Sequence, residues 1–256
     1  MKKQNKYKKF FLMMIFILII IIASICLGKY YFSLFLQENK TKVLQDDFVT
    51  QEKTSDDPMD QWMDFDKIKQ TNQDIYAWIY IPNTLVNYPI LQSKDNMDED
   101  YYLTHNLDLS SGYPGCIYTQ KRNSKDFTDR DTVIYGHNMR DNSMFGSLHQ
   151  YEDAEFFKNN PDIYIYTPQK TLHYRIFTTF ESDDKLILNY YHDFKEDSVY
   201  QDYLSGLIAN TNEKANIDSS VSLGKDDKMI TLSTCMGNDS YRYLVCAYLK
   251  DEKVLN

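Results

Sequence analysis

Glycine and proline are scarce in this chain, with 8 and 6 in 256 residues, which excludes a collagen-like or low-complexity polymer. Charge is missing altogether from "FFLMMIFILIIIIASICLG", Phe10 to Gly28. A run of that length crosses an apolar bilayer core of about 30 Å as a helix. Acidic residues are absent from the first 29 positions, which carry Lys2, Lys3, Lys6, Lys8, Lys9 and Lys29. A basic flank before a span stays in the cytoplasm, so the expected topology is N-terminus in and the remainder out. No small-x-small site follows the apolar run, which argues for an uncleaved anchor rather than a removed signal peptide. Isoleucine precedes Cys26 where a lipoprotein signal has a small residue, so Cys26 reads as part of the span.

What is present narrows the class further. The 22 tyrosines and 14 phenylalanines favour a strand-rich aromatic core. Beyond residue 29, 22 basic side chains face 37 acidic ones, a net charge of −15 that repels polyanions and excludes nucleic acid binding through bulk charge. The chain reads as a cytoplasmic tail (1–9), a transmembrane helix and flank (10–36), a polar extracellular stalk (37–57) and a folded domain (58–256).

In that domain Trp62, Phe65 and Ile68 recur at helical spacing, and Tyr76, Trp78 and Tyr80 alternate into Pro82, a helix leading into a first strand. Strand-like runs follow at 85–92, 115–119, 131–136, 162–167, 171–182, 186–191, 229–234 and 241–250, with turn residues between them. Eight or so short strands in that length imply a barrel or a sandwich. Helical insertions are expected at Asn96–Leu103 and Ser198–Asn210.

"MITLST" alternates as a strand and leaves Cys235 at its end. Gly237, Asn238 and Asp239 are turn formers, so the chain should reverse into "YRYLVCAYLK" and bring Arg242 back beside Cys235. A guanidinium near an exposed thiol favours the thiolate, the nucleophilic form; the competing reading pairs Arg242 with an acid such as Asp239. Cysteine chemistry also needs an acid or base for the leaving group. His137 follows "DTVIYG", where a buried strand stops and the next side chain projects from the sheet edge. His105 and His149 lie in polar loops and His173 and His192 within or just after strands, where packing or surface roles suffice. No spacing suits a metal site, and no cofactor is called for. Cys116 and Cys246 sit among strand formers and read as small buried hydrophobes, with a mutual disulfide as the alternative.

"TLSTC" ending a strand, an arginine opening the next and a histidine after "VIYG" resemble the sortase family; "KDNMDEDYYL" (94–103) and the helical segment before the last hairpin resemble its class B. The resemblance spans roughly residues 60–250 and includes a single N-terminal anchor. It implies a closed eight-stranded β-barrel with an N-terminal helix and a helical insertion before the last two strands. It also implies a Gram-positive cell-surface transpeptidase. Its catalytic residues would be His137, Cys235 and Arg242, with Ser233 and Thr234 binding substrate. The implied reaction cleaves a C-terminal sorting signal at a threonine carbonyl, forms a thioester and passes the surface protein to an amine of peptidoglycan or its precursor. The Cys-to-Arg gap is seven residues here, where the family's varies around eight. A papain-like peptidase or peptidoglycan hydrolase is the rival enzyme, but its nucleophile precedes its histidine and sits at a helix N-terminus. A non-enzymatic, membrane-tethered binding module is the remaining alternative.

Overall fold

The computed structural model describes residues 2–50, 57–212, 214–237 and 240–255. It forms two compact units, Met1–Val43 and Leu44–Asn256. Helix α1 (Lys2–Thr50) is long and apolar enough over Tyr7–Asp46 to cross a membrane, and its large side chains from Phe10 to Ile22 are exposed. It continues into the segment expected to be a polar stalk. Gln, Glu, Lys and Leu there are good helix formers, and Glu38 pairs with Lys42 one turn on at 2.8 Å. In the second unit Leu44 is already buried with Met63, Phe65 and Ile68, and the Gln45 side-chain amide donates to the Asn87 carbonyl at 2.7 Å. Residues 51–56 of the expected stalk lie outside the described residues.

The strands are β1 (Ile75–Tyr80), β2 (Asn87–Leu91), β3 (Ile117–Thr119), β4 (Asp131–Tyr135), β5 (Asp162–Tyr166), β6 (Lys170–Asp183), β7 (Asn216–Ile217), β8 (Met229–Cys235) and β9 (Tyr241–Val254). They hydrogen-bond in the order β5-β1-β2-β3-β4-β8-β9-β6, and β6 pairs back to β5, so eight strands close. The two-residue β7 adds to β6. Closure removes the exposed edges that an open aromatic sheet would present. Alternate residues face inward: Ile230 and Leu232 of β8 and Tyr243, Val245 and Ala247 of β9 join Ile134, Ile163, Ile165 and Leu172 in the barrel core. Each such large apolar side chain contributes roughly 2 kcal/mol by leaving water.

The outer face carries two covers. One is the N-terminal segment with the one-turn helix α2 (Phe65–Ile68) and the turn Tyr101–Leu103, packed on Trp78, Leu91 and Tyr118. Helix α3 (Ala154–Asn159) lies between β4 and β5. The second cover is α4 (Ile187–Tyr190) and α5 (Asp197–Ile208), packed on Val133, Phe177, Met229, Leu244 and Cys246.

Two expectations change. Residues 186–191 are not a strand: Ile187 and Leu188 bury on one side of a helical turn, and Tyr191 stacks on Phe194 and packs on Tyr203. Period alone cannot separate a short apolar run in a strand from one in a helix, and the aromatic cluster decides it. Residues 96–103 form turns and a single 3-10 turn rather than a helix, because a run of Asp and Asn side chains competes for the backbone. Lys121 Nζ donates to the carbonyls of Lys94, Asp95 and Met97 and holds that segment down. Cys116 and Cys246 are buried free thiols in opposite covers, as read, and burial pushes both thiol pKa values up.

Asp131 opens β4 fully buried. Its Oδ2 accepts from Thr231 Oγ1 at 2.9 Å, and Oδ1 has no partner. Desolvation raises its pKa to about 8, only partly offset by that bond. A carboxyl whose folded pKa exceeds its unfolded value stabilises fully below the unfolded value near 4, and the contribution disappears as pH rises through 8. Over that window the loss is on the order of 5 kcal/mol. Asp131→Asn is therefore expected to melt level with the parent near pH 4 and on the order of 10 °C above it at pH 8, measured by calorimetry across that range.

Candidate active site

Strand pairing builds the site. β4 and β8 run parallel with Tyr135 level with Ser233, and Gly136 N donates to the Ser233 carbonyl at 3.2 Å. Two residues on from that level, His137 leaves β4 as Cys235 ends β8. β8 and β9 are antiparallel with Cys235 directly opposite Arg242. Opposed residues have Cβ atoms about 5 Å apart and share a face. Here it is the outer face, because Leu232 and Tyr243 face in. Asn238 and Asp239 of the expected turn, including the carboxylate considered as a partner for Arg242, lie outside the described residues.

The three side chains line a cleft of about 490 Å³ together with Ser233, Tyr118 and Tyr135. One wall comes from Asp100, Leu103, Thr104 and Ser111–Tyr113, the other from Asp184–Leu186, so the cleft is the gap between the two outer covers. Thr234 borders it only by its backbone. It pairs with the inward-facing Tyr243, and its buried hydroxyl has no hydrogen-bond partner.

His137 Nε2 is 2.7 Å from the Leu103 carbonyl, and a carbonyl only accepts, so Nε2 carries the proton and Nδ1 is left for exchange. The Tyr113 ring packs against the imidazole at 4.9 Å between centroids. Arg242 Nη1 donates to the Tyr241 carbonyl at 3.1 Å. Asp100 accepts from Tyr118 Oη at 3.1 Å and from Gln120 Nε2 at 2.8 Å. Burial and then the Asp100 charge push the Tyr118 hydroxyl well above the usual phenol range, and Arg242 offsets part of that. Among the described residues no cluster of His, Cys, Asp and Glu is arranged to hold a metal.

Two glycines make this geometry possible. A Cβ at Gly136 would stand 2.4 Å from Ile117 Cδ1 and 2.7 Å from Phe145 Cδ2, so only glycine lets the strand before His137 pass. Gly115 has φ +67°, and a Cβ there would meet the backbone carbonyl oxygens of Leu103 and Tyr102 at 2.6 and 2.8 Å.

Residues 79–250 match the family model described as Sortase domain. The chain belongs to the sortase family. Sortase B of Listeria monocytogenes is 34% identical over 177 residues, 68% of each chain. The structure of sortase B from Bacillus anthracis in complex with AAEK1 is 28% identical, with a TM-score of 0.69, over 86% of this chain and 98% of that one. The Staphylococcus aureus sortase B–substrate complex is 26% identical, with a TM-score of 0.69, over 84% and 97%. This sortase is of class B, a cysteine transpeptidase, with the closed barrel its sequence implied.

Sequence reading missed three groups around this sortase's cleft: the Leu103 carbonyl, Asn138 and His149. By sequence His149 reads as a polar loop residue, yet its Nε2 stands 3.2 Å from the Cys235 carbonyl. The acid three residues on, Glu152, was the available signal, with Oε1 2.6 Å from Nδ1.

Alanine at 115 must displace the carbonyl that holds His137. Gly115→Ala is expected to lower kcat/KM for transpeptidation by on the order of tenfold or more. Gly206→Ala, in exposed helix with nothing within 4 Å of the new Cβ, should keep activity and gain about 0.5–1 kcal/mol of stability. Steady-state kinetics and thermal melts of the pair test both statements.

Proposed function

We propose that this sortase cleaves a C-terminal sorting signal at a threonine carbonyl, holds the surface protein as a thioester on Cys235, and transfers it to an amine of the cell wall or its precursor. The observation that carries the reading is the opposition of Cys235 and Arg242 across the last hairpin, with His137 alongside, in a cleft open to an extended peptide. The Staphylococcus aureus relative, whose structure is described as a substrate complex, adds support.

In the first half, the Cys235 sulfur bonds to the threonine carbonyl carbon and the peptide C–N bond breaks as the tetrahedral intermediate collapses. His137 Nδ1 takes the proton of the Cys235 thiol as the sulfur attacks and gives it to the leaving amine, while Leu103 keeps Nε2 engaged. In the second half, the incoming amine attacks the thioester, gives its proton back to the imidazole, and the C–S bond breaks to regenerate the thiol. The Arg242 guanidinium faces the oxyanion of each intermediate, or the substrate backbone, and supplies forked donors with a permanent charge. Ser233 shares the cleft face of β8 with Cys235, which supports its contact with the bound signal; Thr234, paired with the inward-facing Tyr243, contributes less. The thioester conserves the energy of the cleaved peptide bond for the second acyl transfer.

The papain-like alternative fits less well. Here the nucleophile ends a strand, and its histidine precedes it in the chain. The binding-module reading leaves the half-buried Cys235 thiol that lines the cleft without a purpose.

Membrane placement belongs to the same proposal: α1 crosses the bilayer, lysines 2–9 remain in the cytoplasm and the barrel works outside. Tethering holds enzyme and membrane-bound substrate in one plane, where effective concentration is high.

Cys235→Ala is expected to abolish product in a peptide-plus-amine assay read by mass spectrometry while the melting curve stays in place; residual turnover overturns the assignment. Arg242→Lys keeps the charge and loses the fork, so a loss on the order of a hundredfold in kcat is expected. Protease added to intact cells should digest the barrel and spare an N-terminal tag; a protected barrel reverses the topology.

A further inference from the structure

The main chain of Cys235 is gripped from behind the cleft. Along the parallel β4–β8 ladder the rung after Gly136 N to Ser233 O would run from Asn138 N to the Cys235 carbonyl. The chain turns away instead: Asn138 bridges to Met144, and Phe145 N donates to the His137 carbonyl at 3.0 Å. The Asn138 side chain supplies the missing donor, with Nδ2 2.9 Å from the Cys235 carbonyl oxygen. A side-chain amide thus extends the ladder by one rung, at the residue that follows His137.

His149 completes the arrangement. The reversal at 137–145 leads into the turn Gly146–Glu152, which carries the ring under the same carbonyl. Glu152 Oε1, an acceptor, holds Nδ1–H at 2.6 Å. Nε2 lies 3.0 Å from Asn138 Nδ2 and 3.2 Å from the Cys235 carbonyl, so it either accepts the second amide hydrogen of Asn138 or, in the imidazolium, donates to the carbonyl. In both forms Asn138 donates to Cys235. The ring also stacks on Tyr243, with centroids 5.0 Å apart at 25°. Asn138 adjoins His137 and Tyr243 adjoins Arg242, so one network touches the chain at Cys235 and at the neighbours of His137 and Arg242.

We propose that Asn138 and His149, with Glu152 orienting the ring, are positioning residues that pin the Cys235 carbonyl and so set the spacing of thiol, imidazole and guanidinium. They touch neither substrate nor the reacting sulfur. The proposal rests on Cys235 being the nucleophile, and its test is built to fail separately from that reading.

Asn138→Asp is close to isosteric but turns an acceptor toward an acceptor. It is expected to lower kcat by on the order of tenfold or more, with KM within about twofold, while the melting temperature stays within a few degrees. His149→Ala should lower kcat severalfold, and His149→Gln, which retains a donor of similar reach, should recover most of it. The independent reading is the carbonyl 13C resonance of Cys235 in protein labelled with carbonyl-13C cysteine, assigned by its loss in Cys235→Ser. It should move in Asn138→Asp and in His149→Ala and return toward the parent position in His149→Gln. An unmoved resonance, wild-type kcat in both damaging variants, or a kcat loss that merely tracks the unfolded fraction would overturn the proposal. Persistent turnover in Cys235→Ala would instead remove the nucleophile reading and leave the carbonyl resonance to judge the clamp.

Discussion

The structure turns on the pairing register of three strands, β4, β8 and β9. A side-chain period of two means that sliding either pair by one residue would carry Cys235 or its partner to the barrel interior. The apolar residues enforce the register. Ile134, Ile230, Leu232, Tyr243 and Val245 all bury inward, and no one-residue slip keeps them there. The energy that holds Cys235 opposite Arg242 therefore comes from the core, in residues that do no chemistry.

The same division of labour explains the cleft. Both faces of this sheet are packed, inward by the barrel core and outward by two separate covers. Where the covers stop short of each other, over β3, β4, β8 and β9, the outer face is left open as a channel. Tyr118 and Tyr135 stack in its floor at 5.4 Å and form an apolar bed beside the polar groups that end the strands. Strand ends free side chains to face a cleft because the ladder no longer needs their neighbours. His137 and Cys235 both sit where pairing gives out, and the surrounding loops take over the backbone hydrogen bonds.

Those loops are held by contacts distant in sequence. Lys121 collects three carbonyls of the 94–97 segment, and the Leu103 carbonyl reaches His137 across 34 residues. Asn138 reaches Cys235 across 97. Each such hydrogen bond is worth about 1 kcal/mol net, small beside the core, yet together they set the loops and groups around the cleft. Stability and function thus draw on different interactions in the same sheet.

The sequence by itself determined the strand-rich class, the apolar N-terminal helix and the Cys235–Arg242 hairpin, since local alternation and turn residues dictate those. The strand end at His137 was also legible, because "DTVIYG" is a buried run with an abrupt stop. Only the tertiary structure decided what period cannot show. Residues 186–191 became helical because aromatic rings from α5 and the turn before it were waiting for Tyr191. Thr234 lost its side chain to the interior because its opposite partner, Tyr243, faces in. His149, unremarkable as a loop residue, met the Cys235 carbonyl 86 residues away because the chain folded back after β4. A single sequence carries local preferences strongly, whereas these outcomes depend on which distant surface reaches a residue first, and that is settled only when the barrel closes.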